Sequence, residues 1–308
     1  MIRYLKQSEI DTDKWDQCID SSFNGMTYAK SWYLDLVAEQ WEAMVENDYE
    51  RVFPLVFRKK FGIYYLYQPV FTQQLGIFST TLLTEDTVSN FIQSIPKHFG
   101  FAEINLNTFN KVGEGKFKLL NWLNHELDLI EPYELLLKNY SSNLKRNLKK
   151  AYKEKLTFSD SIKPDNIIKI FRENRGSTLS LNDHDYNILT RIAYAGIYKG
   201  LIKTYGVYTS TNELCAGVIF LQSKKKKIFL FSGLTEQGKK VNAMPFLIDQ
   251  FIQQNNQQHM TLDFEGSNDK NLARFYKSFG SKEINYPHLK INHFAFPLNV
   301  LFKIAKGF

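Results

Sequence analysis

The sequence predicts two α/β domains, each built on a mixed sheet, and three observations carry that expectation. Its 308 residues, 36.0 kDa in mass, amount to about two ordinary domains. Runs that alternate apolar and polar residues, as half-buried strands do, are interleaved with stretches of helical period. The order of elements in the second half is helix, helix, three strands, helix, strand, helix, strand, and a looser version of it runs through the first half. No direct sequence repeat accompanies the shared order. Domains of 1–135 and 136–308 are expected, similarly built and packed as a pseudo-dimer.

Each element has its own signal. Asp13 to Ser22 suits a short helix with Asp11 or Thr12 as its cap. Ser31 to Glu39 puts Trp32, Leu36 and Val37 on one helical face, with Ser31 capping. Strands follow at Glu42 to Glu46, Arg51 to Arg58, Ile63 to Tyr67 and Leu75 to Phe78. A helix from Thr84 to Phe99 opens on a Thr-Glu-Asp capping signal, and Phe101 to Leu106 alternates as a strand. Near Pro132 the texture changes. Ser141 to Lys155 is a basic amphipathic helix, with Leu144, Leu148 and Ala151 facing one way and Arg146, Lys149, Lys150 and Lys153 forming a cationic stripe opposite. Helices at Asp165 to Asn174 and Asp183 to Tyr198 precede three strands, Leu201 to Tyr208, Leu214 to Gln222 and Lys227 to Ser232. A long helix (Val241 to Gln257), a strand (Thr261 to Phe264), a helix (Asp269 to Phe279) and a last strand (Glu283 to Asn292) complete the order.

Composition narrows the function classes. Hydrophobic residues at 44% and charged residues at 23% give a globular balance with little room for long disorder. The longest apolar run, around Val218 to Leu221, is far short of the ~20 residues of a membrane-spanning helix. The amino terminus turns polar before a signal peptide could form, so a cytoplasmic protein is expected. Cys18 and Cys215 are too few for a disulfide framework or a four-cysteine metal site. His98, His125, His184, His259, His288 and His293 show no metal-ligand spacing, so no metal is expected. Neither a Gly-x-Ser-x-Gly elbow nor a Gly-rich nucleotide loop is present. The net charge of +7 is compatible with a polyanionic partner. Its 39 basic residues are 31 Lys and only 8 Arg, however, and no DNA-reading motif occurs, so sequence-specific DNA is not an expected partner.

Asp263-Phe264-Glu265-Gly266-Ser267, followed by Leu272-Ala273-Arg274-Phe275-Tyr276-Lys277-Ser278-Phe279-Gly280, resembles the closing segment of FemABX-like and related GNAT-like proteins. There an Asp-Phe-x-Gly strand end leads into a helix with an aromatic-rich, Gly-terminated turn. Lys145 to Ala151 resembles the Lys/Arg-rich helix that opens their second domain. The likeness covers roughly residues 140 to 292, and the first half shares element order and Gln68-Pro69. The second half's element order is also that of the GNAT acyltransferase fold, whose central strands splay and hold an acyl donor in the gap. The resemblance therefore implies a mixed α/β fold of two tandem GNAT-like (acyl-CoA N-acyltransferase) domains. It implies an N-acyltransferase that moves an acyl or aminoacyl group from acyl-CoA or aminoacyl-tRNA to a small-molecule or peptide amine. The donor would be a co-substrate rather than a tightly bound cofactor, and tRNA a candidate partner. The alternative is a non-catalytic GNAT-shaped protein that binds a glycan or peptide precursor.

Two departures from the family pattern bear on the donor. GNAT enzymes cradle the coenzyme A pyrophosphate on the backbone amides of a Gln/Arg-x-x-Gly-x-Gly/Ala loop. The matching stretch, Gly238-Lys239-Lys240-Val241-Asn242-Ala243, has Val241 where the first glycine is expected. Lys239 and Lys240 can compensate as point charges, beside Asn242. In FemABX proteins a Lys directly follows the Phe that matches Phe275. That place holds Tyr276, and Lys277 comes one residue later.

Acyl transfer to an amine needs a base, an oxyanion stabiliser and an acid for the leaving group. Tyr276 suits the acid, the alternative being a ring that packs the last helix on the sheet. Lys277 suits the oxyanion, or is simply solvated. Glu265 and Asp263, two apart at a strand end, would point to one side and offer a base, unless Asp263 caps the helix or binds backbone amides. Arg274 is a candidate for a substrate carboxylate or phosphate, and Arg146, Lys149 and Lys150 for an anionic donor; a solvated face is the other reading of that stripe. Tyr67, Gln68, Gln73 and Gln74 sit in a run of Tyr and Gln around Pro69, and with Trp32 they suggest an acceptor cleft, or a strand and turn of the core. Finally, Leu298, Leu301, Phe302 and Ala305 share a helical face with Lys303 and Lys306 nearby. Such a helix either docks on the protein or makes weak membrane-surface contact.

Overall fold

Caps and breakers set most element boundaries in the computed structural model, which describes residues 1–113, 115, 117–176, 181–266 and 268–294. The chain opens with β1 (Ile2–Leu5) and α1 (Thr12–Ser21), whose cap Asp11 accepts from the amides of Asp13 and Lys14. Next come α2 (Ser31–Val37), β2 (Gln40–Glu46), β3 (Arg51–Lys60), β4 (Ile63–Tyr67) and β5 (Phe78–Ser79). In α2 the buried face is Tyr33, Leu34 and Val37, so the expected Trp32–Leu36 face is rotated; seven residues are too few for periodicity to fix a face. Then follow α3 (Glu85–Gln93), β6 (Phe99–Asn105) and the long β7 (Lys118–Asp128). The helix expected to reach Phe99 stops early because Pro96 biases its predecessor away from helical backbone.

The second half continues with α4 (Tyr133–Lys138), α5 (Ser142–Ala151), β8 (Thr157–Asp160), α6 (Pro164–Glu173) and α7 (Asp183–Tyr198). Three strands follow, β9 (Ile202–Tyr208), β10 (Leu214–Ser223) and β11 (Lys226–Leu234). The single helix expected from Val241 to Gln257 is two, α8 (Glu236–Lys240) and α9 (Ala243–Asn255), separated by Asn242 in the left-handed region at φ 56°. The chain then forms β12 (Thr261–Asp263), α10 (Lys270–Lys277) and β13 (Lys282–Asn292). The amphipathic segment predicted after Pro297 lies outside the described residues.

Two compact units result, residues 1–123 with the stretch beginning at Asn285, and Asn124–Ile284. This differs from a single border at residue 135, because the long strands β7 and β13 each serve a unit other than the one their sequence neighbours suggest. In the first unit β1, β2, β3 and β4 pair antiparallel in order, β4 pairs β6 in parallel, and residues 288–292 of β13 close on β6. In the second, β8, β9, β10 and β11 pair antiparallel, β11 pairs β12 in parallel, and residues 126–128 of β7 close on β12. Both units thus repeat one plan: an antiparallel run, a helical crossover to a parallel strand, and a closing antiparallel strand.

Burial explains the amphipathic helices. The apolar side of α5, Leu144, Leu148 and Ala151, joins a core with Phe246, Phe251 and Ile252 of α9 and Phe220 of β10, while Arg146, Lys149, Lys150 and Lys153 stay exposed. A buried carboxylate ties this layer together. Asp249 accepts from the phenols of Tyr133 (2.9 Å) and Tyr152 (2.8 Å) and from the Gln253 amide (2.9 Å). Burial, then the bond to Asp249, pushes the Tyr152 phenol up to about 12. On the other face α6 approaches so closely that a Cβ on Gly233 would lie 2.5 Å from the Ile167 carbonyl oxygen.

Candidate functional site

The site in the second unit begins with a gap in its sheet. β11 pairs β12 only from Lys226↔Thr261 to Ile228↔Asp263, and β12 ends there while β11 runs on to Leu234. Beside the rest of β11 opens a cavity of about 740 Å³, within the usual range for small-molecule sites. Its walls come from the end of α6 (Phe171, Asn174, Arg175), β11 (Phe229, Ser232, Leu234), α8 (Glu236, Gly238, Lys239), the α8–α9 junction (Asn242, Met244, Pro245) and α10 (Leu272, Phe275, Tyr276).

Tyr276 is held at this wall by its ring. It is 6% exposed and stacks on Phe264, centroids 4.8 Å apart and planes at 23°. Burial, reinforced by the charge of Glu265 and opposed by Arg175, raises its phenol well above the ordinary tyrosine range. At neutral pH the hydroxyl is therefore protonated, a donor rather than a base. Glu265 bears on it electrostatically, but not by strand alternation: Glu265 has φ 58°, in the left-handed region, and its amide is bound by the Asp263 carboxylate at 2.9 Å. Asp263 is 1% exposed, and its other oxygen lies 3.3 Å from Lys226 Nζ, which also pairs with Glu126. That triad, with Asp263 as its buried member, takes Asp263 out of the cavity wall and makes it a clamp between β12 and β11.

The expected donor-binding residues divide. Lys239 and Asn242 line the cavity, Lys239 in an ion pair with Glu236. Lys240 is exposed and outside the lining. Arg274 is exposed and reaches Asn271 at 3.4 Å, and Lys277 pairs with Glu283 at 3.1 Å, so both leave the cavity side of α10. The arginine at the cavity is Arg175, which no spacing in the sequence marks, together with Asn174, Ser232 and Glu236. The stretch aligned with a pyrophosphate cradle is not an open loop. Thr235 caps α8 through the Gly238 amide, and the Lys239, Val241 and Asn242 amides bond to the carbonyls of Thr235, Gln237 and Lys239. Val241 is 9% exposed and packs into the core, and Gly238 is needed because a Cβ there would lie 2.2 Å from the Cys215 carbonyl oxygen. Its glycine serves packing on β10, and three amides that would hold a diphosphate are already spent.

One neighbour of Tyr276 was not anticipated. His125 of β7 has a fully buried side chain, its ring centroid 5.9 Å from that of Tyr276, and neither ring nitrogen has a hydrogen-bond partner. Burial lowers its pKa, as it does for His288 in the first unit. Both hold fewer protons folded than unfolded once pH drops below the ordinary value of 6.5. Stability is therefore expected to fall as pH is lowered from about 6.5, by at most about 1.4 kcal/mol per pH unit for each histidine, levelling once the folded forms protonate. Urea unfolding at pH 7.5, 6.5 and 5.5 checks this, and His125→Gln should flatten the slope.

The expected acceptor residues also separate. Tyr67 and Gln68 line a second cavity, of about 650 Å³, in the first unit, with Tyr65, Phe101, Glu103, Trp122 and His288. Its walls are stacked rings, Trp122 on His288 at 4.1 Å and Tyr65 on Phe101 at 4.7 Å. Gln73, Gln74 and Trp32 do not line it. Gln74 is buried and accepts from the Thr108 amide, while Gln68 bonds both the Thr72 carbonyl and the Asn105 amide. With Asn24, Asn107 and Asn110, these amides satisfy the backbone of residues 72–79, much of which pairs with no strand. Among the described residues no helix is long and apolar enough to cross a membrane.

No family model and no curated protein matches the sequence. Solved structures do. FemX superposes with a TM-score of 0.65 at 12% identity, over 98% of this chain and 99% of its own. The C-terminal domain of a putative lysylphosphatidylglycerol synthetase from Agrobacterium fabrum gives 0.60 at 10% identity, covering 97% and 96%. L-PGS from Bacillus licheniformis gives 0.57 at 10%, covering 96% and 95%. At such identity the likeness shows the fold alone: the GNAT-like fold of FemX, with two tandem units.

Proposed function

We propose that the chain is an N-acyltransferase that takes an aminoacyl group from an ester donor, aminoacyl-tRNA, and passes it to an amine. The observation that carries this is a neutral, buried Tyr276 phenol at a cavity beside the splayed end of β11, where a cradle for a coenzyme A pyrophosphate is replaced by a closed helical turn. In the reaction the acceptor nitrogen attacks the ester carbonyl and the C–N bond forms as the C–O bond breaks. The ribose oxygen leaves with the Tyr276 proton, and the phenolate recovers one from the new ammonium, so a neutral hydroxyl is what the step needs. The exposed stripe Arg146, Lys149 and Lys150 on α5 supplies attraction for the polyanionic donor. The fold shared with FemX and with the putative lysylphosphatidylglycerol synthetase domain supports a transferase of this kind.

The test is donor binding. Charged tRNA is expected to raise the melting temperature by mass action, and acetyl-coenzyme A is not. Replacing Arg146, Lys149 and Lys150 together with Ala should weaken tRNA binding and reduce the slope of log affinity against log salt by about 2. A shift with acetyl-coenzyme A and none with tRNA reverses the donor assignment.

A further inference from the structure

We infer that the cavity of the second unit selects a bulky apolar aminoacyl group, of leucyl or phenylalanyl size, over glycyl, alanyl or lysyl. The inference rests on the aminoacyl-ester reading above and deepens it by naming the substrate class. Phe171, Phe229, Leu234, Met244, Leu272 and Phe275 make up the apolar wall around Tyr276. Phe171 is 8% exposed, and Phe229 and Met244 are each 6% exposed, so what they offer the cavity is a shielded apolar surface. The rings are fixed by their neighbours: Phe171 packs on Phe231 at 4.6 Å, and Phe275 lies 5.8 Å from Tyr276 and 5.4 Å from Phe279. A wall held this way cannot collapse onto a small substituent.

The charges are placed differently. Glu236 and Lys239 pair with each other, and their side chains are 70% and 54% exposed, which puts them at the mouth. Arg175 is exposed at the end of α6. A lysyl side chain entering among the phenyl rings would lose hydration and meet, among the described lining residues, only the acidic Glu236, already engaged by Lys239. A glycyl or alanyl group would leave the wall wet. A leucyl or benzyl side chain buries itself and dries the wall, with discrimination of roughly 10–200-fold.

The probes are stable amide analogues of the tRNA terminus, 3′-aminoacylamino-3′-deoxyadenosines carrying phenylalanyl, leucyl, glycyl or lysyl groups, titrated calorimetrically into the full chain. The phenylalanyl and leucyl analogues are expected to bind roughly 10–200-fold more tightly than the glycyl one, with lysyl no better than glycyl. Phe275→Ala should narrow that ratio, and Leu272→Ala serves if the first variant does not fold. Equal affinity for glycyl and phenylalanyl analogues, or preference for lysyl, overturns the inference and leaves the aminoacyl-ester reading standing. Binding of none of the four overturns both.

Discussion

Replacing Tyr276 with Phe is expected to lower the turnover of aminoacyl transfer by roughly 10²–10⁴-fold while the protein stays folded. The fold survives because the ring does the packing: Tyr276 stacks on Phe264 at 4.8 Å, and a phenyl ring keeps that contact. What disappears is the proton. The leaving ribose oxygen would then have to depart as an unprotonated alkoxide, with no positioned donor to neutralise it. Binding of the donor should change little, so the loss should appear in kcat rather than KM. Unchanged turnover in a variant with a normal melting temperature would remove Tyr276 from the chemistry and leave it a core residue.

The largest effect on stability is expected at Asp249. Its carboxylate is fully buried and accepts from Tyr133, Tyr152 and Gln253. Asp249→Ala removes the shared acceptor of three part-buried donors and opens a small void, a loss of about 3 kcal/mol where a hydrogen bond to a charged group is worth about 1.5–3. For a unit of this size the melting temperature should drop by roughly 6–12 °C. Asp249→Asn keeps an acceptor oxygen and should lose less. Because Tyr152 follows α5 directly, the alanine variant should also loosen the basic helix and weaken salt-dependent tRNA binding. A variant that melts like the parent would show the network to be idle.

Much of the fold was legible because local signals and burial agreed. The predicted limits of α7, Asp183 to Tyr198, are those observed, since its capping box at Asn182 and Asp185 and its period point the same way. The apolar side of α5 was readable from spacing alone. β7 was not, and the reason is physical. Asn124 and His125 are fully buried, so a strand that should alternate carries polar residues inside, and the pattern rule fails there. The site was legible only in part. Tyr276 carried its signal in the aromatic-rich helix, whereas Arg175 enters the cavity by where α6 ends. Glu265 escaped alternation because a left-handed residue breaks the strand period.

The closing strand of the first unit has a consequence for how the protein is made. β6 ends at Asn105, but its partner residues lie near His288, 183 positions later. During synthesis the second unit, residues 124–284, is all in hand before that partner leaves the ribosome. The usual order, in which the amino-terminal part folds first, is therefore inverted at the last step. Until then the edge of β6 away from β4, Phe101 to Asn105, is unpaired, a template for the wrong strand of the same chain or of a neighbour. Such late, long-range pairing is slow. A nascent chain of this kind would depend more than most on a chaperone or on sparse expression, and chains stalled before β13 emerges would be its aggregation-prone species.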